Sequence, residues 1–190
     1  VRTVNPSTAR RLLVNAIWAT AAAIVVMLIY IIIRFTLSSG LAAITSLAHD
    51  VLVMFALMAI FQVKISTTFI AAIITIVGYS INATIVIFDR VRENIMKNRE
   101  GDVGEIITTS VNQSLTRTLI TSLTTLFAIV PLAIFSSGDI KLFAINLTWG
   151  ILVGAYSSNF IAPSLLLLLH KKFPINVFKE ADDKDPLLED

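Results

Sequence analysis

Five long apolar runs divide the chain, at residues 12–33, 41–61, 67–88, 118–135 and 142–169. Each comes close to or exceeds the roughly 20 helical residues that cross the hydrocarbon core of a bilayer. The spacing predicts an all-α fold, a transmembrane helix bundle of five spans. Between 88 and 118 the pattern changes. The cluster Asp89-Arg90-Val91-Arg92-Glu93 ends the third run abruptly, as a solvated helix end and an anchor at one membrane face would. Residues 102–116 are too polar to span. Asp102 and Glu105 have capping-box spacing, and Val103, Ile106, Ile107 and Val111 can share one face. An interfacial helix over about 102–116, running into the fourth span, is expected there. The tail 173–190 is acidic and poor in apolar residues from Lys179 onward, which predicts disorder.

Composition agrees with a membrane protein. Of 190 residues, 56% are hydrophobic, with a mean hydropathy of +0.83, against about 45–50% apolar residues in a soluble domain. The net charge of +2 is too small to argue for nucleic acid. There is no cysteine, so no disulfide or thiolate metal site is available. The chain begins at Val1 without Met or a signal peptide, so it is expected to be a segment of a longer protein.

Basic residues set the orientation. Arg34, the group Arg90, Arg92, Lys97, Arg99 and Arg117, and the pair Lys171-Lys172 fall on one side of a five-span arrangement. That side is assigned to the cytoplasm, with the C-terminus. The opposite loops, 62–66 and 136–141, are short and hold one Lys each.

Four features could bear on function. His49-Asp50 lies near the middle of the second run. An ionisable residue at membrane depth demands a partner or a water-filled pocket, so the pair reads either as proton or ion handling or as a buried structural hydrogen bond. Ser80 and Asn82 are polar positions inside the third run. In the fourth, Ser114, Arg117, Thr121, Thr124 or Thr125 and Ala128 follow three-to-four spacing, with Arg117 at the cytoplasmic entrance. This stripe is either a hydrated path with a fixed positive charge, or an Arg reaching the headgroups while the threonines bond their own backbone. Gly150, Gly154 and Ser158 have the small-xxx-small spacing of close helix packing. Asn146, Ser157 and Asn159 add polar positions without a distinct pattern, and His170 reads as interfacial. No nucleophile–base grouping and no metal-ligand spacing is present, so neither an enzyme nor a cofactor is expected.

The stretch 78–94, GYSINATIVIFDRVREN, resembles the signature of the SecF family, a branch of the resistance–nodulation–division superfamily. Asn5-Pro6-Ser7 with Arg10-Arg11, Ile33-Arg34-Phe35, His49-Asp50, and Ser114-Leu115-Thr116-Arg117-Thr118-Leu119 followed by Thr121-Ser122 fit the same family in the same order. The resemblance implies a half-transporter of six helices with an external domain after the first. This chain would supply five spans, lacking the first helix and that domain, with residues 1–11 the end of its linker. It further implies a SecD partner, the SecY, SecE and SecG channel, secreted preproteins as cargo, the bacterial inner membrane as location, and a proton or sodium gradient as driving force.

One position departs from the family. Where the signature has an ion-coupling Asp, this chain has Ala83; Arg117 matches the family's functional arginine. Alanine cannot bind a proton. The substitution is engineered, or belongs to a homologue with altered coupling, or the role has moved to Asp50 or to the SecD half. The ion-coupling candidates are therefore Asp50, Arg117, Asn82, Ala83 and His49, with Gly78 grouped with the packing glycines. The alternatives are a non-conducting structural subunit and half of another efflux transporter of the superfamily.

Overall fold

The computed structural model describes residues 36–62, 67–98 and 101–173, together with isolated positions between 11 and 30. Those isolated positions are helical. The rest of the expected first span, the linker before Arg11, Arg34, Lys64, Arg99 and the tail from 174 lie outside the described residues.

Helix α1 runs Leu37–Ile60, α2 Thr67–Lys97, α3 Val103–Phe135 and α4 Gly138–Tyr156. A π-helical turn, Ser157–Ile161, joins α4 to α5, Ala162–Lys172. Four rods result, since Gly138–Lys172 is one continuous membrane-length element. Each is long and apolar enough to cross a membrane.

Two boundaries differ from the hydropathy pattern. The third run continues as helix through its charge cluster to Lys97. The stretch 102–116 forms the first half of α3, which is unbroken from Val103 to Phe135. At 1.5 Å per residue α2 and α3 are each roughly 45–50 Å long, so both project beyond a core of about 30 Å. The apolar face of 102–116 finds protein there. Ile106 and Ile107 are buried with Val91, Ile95 and Leu166. Arg90 Nε donates to Gln113 Oε1 at 2.7 Å, and Asn94 Nδ2 donates to Ser110 Oγ at 2.8 Å. A stripe that looks amphipathic in sequence is thus covered by the neighbouring helix. Asp102 caps α3, its carboxylate accepting from the Glu105 backbone N–H at 3.1 Å.

α2 packs against α4, α3 and α1, and α1 packs against α5. Apolar side chains collect in two layers. One holds Met54, Ala72, Ile76, Leu147 and Ile151. The other holds Ala42, Leu47, Ile81, Ile87, Val91, Ile106 and Leu166 among others. In sequence Asp50 lies between Leu47 and Met54, and Ser157 to Asn159 between Ile151 and Ala162, where one layer gives way to the other. The outer face of α3 is the least covered. Phe127 and Phe135 there are more than three-quarters exposed, and Ile120 and Ile134 more than half.

Candidate functional site

Asp50 is fully buried, 0% exposed, about midway along α1. Its Oδ2 accepts from Ser80 Oγ of α2 at 2.5 Å and from Ser157 Oγ of the π-helical turn at 2.7 Å. Its Oδ1 lies 3.2 Å from His49 Nδ1. The carboxylate therefore joins three chain segments through two neutral hydroxyls and one imidazole.

The π-helical turn explains how three consecutive polar residues can all be buried. In an α-helix, successive side chains rotate by about 100°, so one of three would face outward. The wider turn leaves Ser157 and Ser158 at 0% exposure and Asn159 at 3%. Each reaches a different helix. Ser157 donates to Asp50 of α1. Ser158 Oγ lies 3.3 Å from the Ser80 carbonyl of α2 and 2.6 Å from its own Gly154 carbonyl. Asn159 Oδ1 accepts from Thr118 Oγ1 of α3 at 3.1 Å. π-turns inside α-helices often occur at functional sites.

A second polar region lies on another face of α2. Tyr79, Asn82, Ala83 and Val86 from α2, with Arg117, Thr118, Thr121 and Ser122 from α3, line an open pocket of about 150 Å³. Tyr79 donates from its hydroxyl to Ser122 Oγ at 3.2 Å. Arg117 is exposed at this pocket; its backbone carbonyl accepts from Thr121 Oγ1 at 2.8 Å, and its guanidinium has no hydrogen bond or ion pair among the described residues. Thr118 belongs to both regions. It borders the Arg117 pocket and also holds Asn159, so a continuous band of polar contacts joins the pocket to the π-helical turn and, through Ser157, to Asp50.

The residues singled out from the sequence fall into separate places. Asp50, His49 and Ser80 come together in the buried site; Arg117, Asn82, Ala83 and Thr121 come together in the pocket. The α3 stripe does not form one path. Ser114 is buried, whereas Arg117, Thr121 and Thr124 are exposed. The hydroxyls of Thr121, Thr124 and Thr125 donate to carbonyls of their own helix at 2.8–2.9 Å, and Thr124 and Thr125 lie outside the pocket lining. A threonine hydroxyl facing hydrocarbon satisfies itself on the i−4 carbonyl, which is why even spacing did not yield a shared path. Thr118, Ser122 and Tyr79 were not singled out as site residues. Their signal was present in the fold's terms only, as polar residues on the face of α3 that meets α2.

Gly150 and Gly154 lie where α4 meets α2. A Cβ on Gly150 would fall 2.0 Å from Ile76 Cδ1, and one on Gly154 3.2 Å from Ser80 Cβ. Gly78 is half-buried on α2. In the charge cluster, Arg90 pairs with Glu93 at 2.5 Å and Lys97 with Glu93 at 2.6 Å, while Asp89 and Arg92 are half-buried. The cluster thus ties α2 to itself and, through Arg90 and Gln113, to α3.

This helix arrangement can be compared with known proteins. The family model described as protein export membrane protein SecD/SecF, C-terminal, matches residues 1–172. The chain belongs to the SecD/SecF family. It is 39% identical over 183 residues to the protein translocase subunit SecF of Rhodobacter capsulatus, covering 96% of this chain and 53% of the relative. It is 42% identical over 184 residues to SecF of Haemophilus influenzae, covering 95% and 57%. The Bacillus subtilis protein translocase subunit SecDF is 42% identical over 170 residues, covering 88% and 23%. The chain thus spans about half the length of the SecF proteins it matches. The crystal structure of SecDF from Thermus thermophilus, described as a translocon-associated membrane protein, superposes with a TM-score of 0.84 at 37% identity, over 89% of this chain and 24% of that one. An all-α membrane bundle of the SecD/SecF type is therefore established, and with it a membrane protein of the Sec protein-transport family.

Proposed function

We propose that the chain is a SecF-like half of an ion-driven protein-translocation complex in the bacterial inner membrane. It would act beside a SecD half and the SecY, SecE and SecG channel, with secreted preproteins as cargo and the C-terminus in the cytoplasm. The observation that supports this best is the position of Arg117. It opens onto the same pocket as Asn82 and Ala83, at the level of the GYSINA stretch, rather than facing away from it. A guanidinium stays charged at any physiological pH, so in that pocket it would steer or hold a carboxylate while another group exchanges the ion. The fused SecDF relatives support a SecD half as neighbour, and the bare outer face of α3 offers it an apolar surface. No catalytic step is assigned to the chain; the work is a conformational response to ion movement.

A second reading rests on Ala83. The pocket holds no carboxylate among its lining residues, and that favours a structural subunit whose coupling was lost there. Ala83→Asp, made in the assembled complex and followed by preprotein export and ion flux in proteoliposomes, separates the two. Gains in both support an ion-driven half whose pocket lacks its acid. Unchanged export and flux from a fully assembled complex would support the structural subunit instead.

A further inference from the structure

Among the described residues Asp50 is the one carboxylate buried at 0%, and none of them sets a fixed positive charge against it. From α1 it meets His49, from α2 Ser80, and from the π-helical turn Ser157. Of these only His49 is titratable. No Lys or Arg pairs with Asp50 among the described residues, and the apolar run 12–33 contains no charged residue that could add one. An ionised carboxylate is strongly disfavoured in such a place unless its charge is balanced. With no fixed cation among the described residues, the balancing charge is a mobile one.

We propose that Asp50 is a proton-binding site of this chain, with His49 as the group through which its proton exchanges. Geometry favours a proton over an alkali cation. Both serine hydroxyls lie directly against Oδ2, at 2.5 and 2.7 Å, so a metal ion would have to displace the contacts that define the site. A proton displaces nothing, because a hydroxyl can rotate from donor to acceptor without moving its oxygen. His49 has a side chain 39% exposed, with Nδ1 3.2 Å from Asp50 Oδ1. A proton arriving at its other ring nitrogen makes an imidazolium, which passes one from Nδ1 to Oδ1. Imidazole and carboxylate then both end neutral, and the pair has gained one proton. The site does not depend on the translocation reading: it concerns protonation of one carboxyl, whatever that protonation drives.

The test is infrared difference spectroscopy on the complete membrane complex containing this chain, in lipid, stepped from about pH 5 to about pH 9. A protonated-carboxyl C=O band should be present at the acid end, fade as pH rises, and be missing throughout in Asp50→Asn. Ser157→Ala keeps the carboxyl but removes a hydroxyl bonded to it, so the frequency of the band should move. His49→Gln should keep the band and slow its response. Identical spectra for the parent and Asp50→Asn would overturn the proposal. So would an unmoved band frequency in Ser157→Ala, or a band that follows Na⁺ against choline at fixed pH instead of pH. A parent complex that shows the band but supports no preprotein export would refute the translocation reading alone.

Discussion

Gly150→Ala puts a single methyl group where the structure has no room for it. The new Cβ would fall 2.0 Å from Ile76 Cδ1, 2.2 Å from Cγ1 and 3.0 Å from Cγ2. Ile76 cannot easily move aside, since it is 2% exposed and packed with Met54, Ala72, Leu147 and Ile151. Overpacking of a filled core costs about 1–3 kcal/mol. Replacing a mid-helix glycine returns up to about 1 kcal/mol of helix propensity, so the net loss should be about 1–2 kcal/mol. Ile76→Ala alone should cost about 2–5 kcal/mol by leaving a cavity. The double variant removes all three crowded atoms and part-fills the cavity. It should therefore be less destabilised than the sum by about 1–3 kcal/mol. Reversible unfolding in bicelles, monitored by steric trapping on α2 and α4, measures all four corners of this cycle. Additivity within about 0.5 kcal/mol would show that α4 does not press on α2 at Ile76, and the packing argument would fail.

Gly154→Ala should be milder globally, because its Cβ would sit 3.2 Å from Ser80 Cβ. Its effect should appear in the buried site, as a moved carboxyl band frequency once Ser80 is pushed from its bond to Asp50. Thr118→Val removes the donor to buried Asn159 and should cost about 1–2 kcal/mol in bilayer unfolding, with Thr118→Ser recovering most of it. Tyr79→Phe should cost less than about 1 kcal/mol, since Ser122 keeps its own bond to the Thr118 carbonyl; an equal or larger loss than for Thr118→Val would contradict this ranking. Asp102→Ala should lose about 1 kcal/mol and speed amide exchange at Glu105, with the rest of α3 unchanged.

Among the described residues, hydropathy alone was enough to find the four membrane-length helices, because twenty apolar residues in a row have few other stable arrangements and the backbone in lipid must satisfy itself within the helix. It could not tell which side of 102–116 meets protein. A lone amphipathic stripe looks the same whether lipid or a neighbouring helix covers it, and only the packing of Ile106 and Ile107 against α2 and α5 decided that. Asp50 and Arg117 stood out as charges beside apolar runs, and the family signature added Ala83. Which of them share a site depended on helix faces. Asp50 met Ser80 and Ser157 across gaps of 30 and 107 residues, and Arg117 met Ala83 across a different face of α2. The π-helical turn was the least visible element of all. Its residues Ser157, Ser158 and Asn159 look unremarkable in order, and gain their meaning only because one extra residue in the turn lets three neighbours face three different helices.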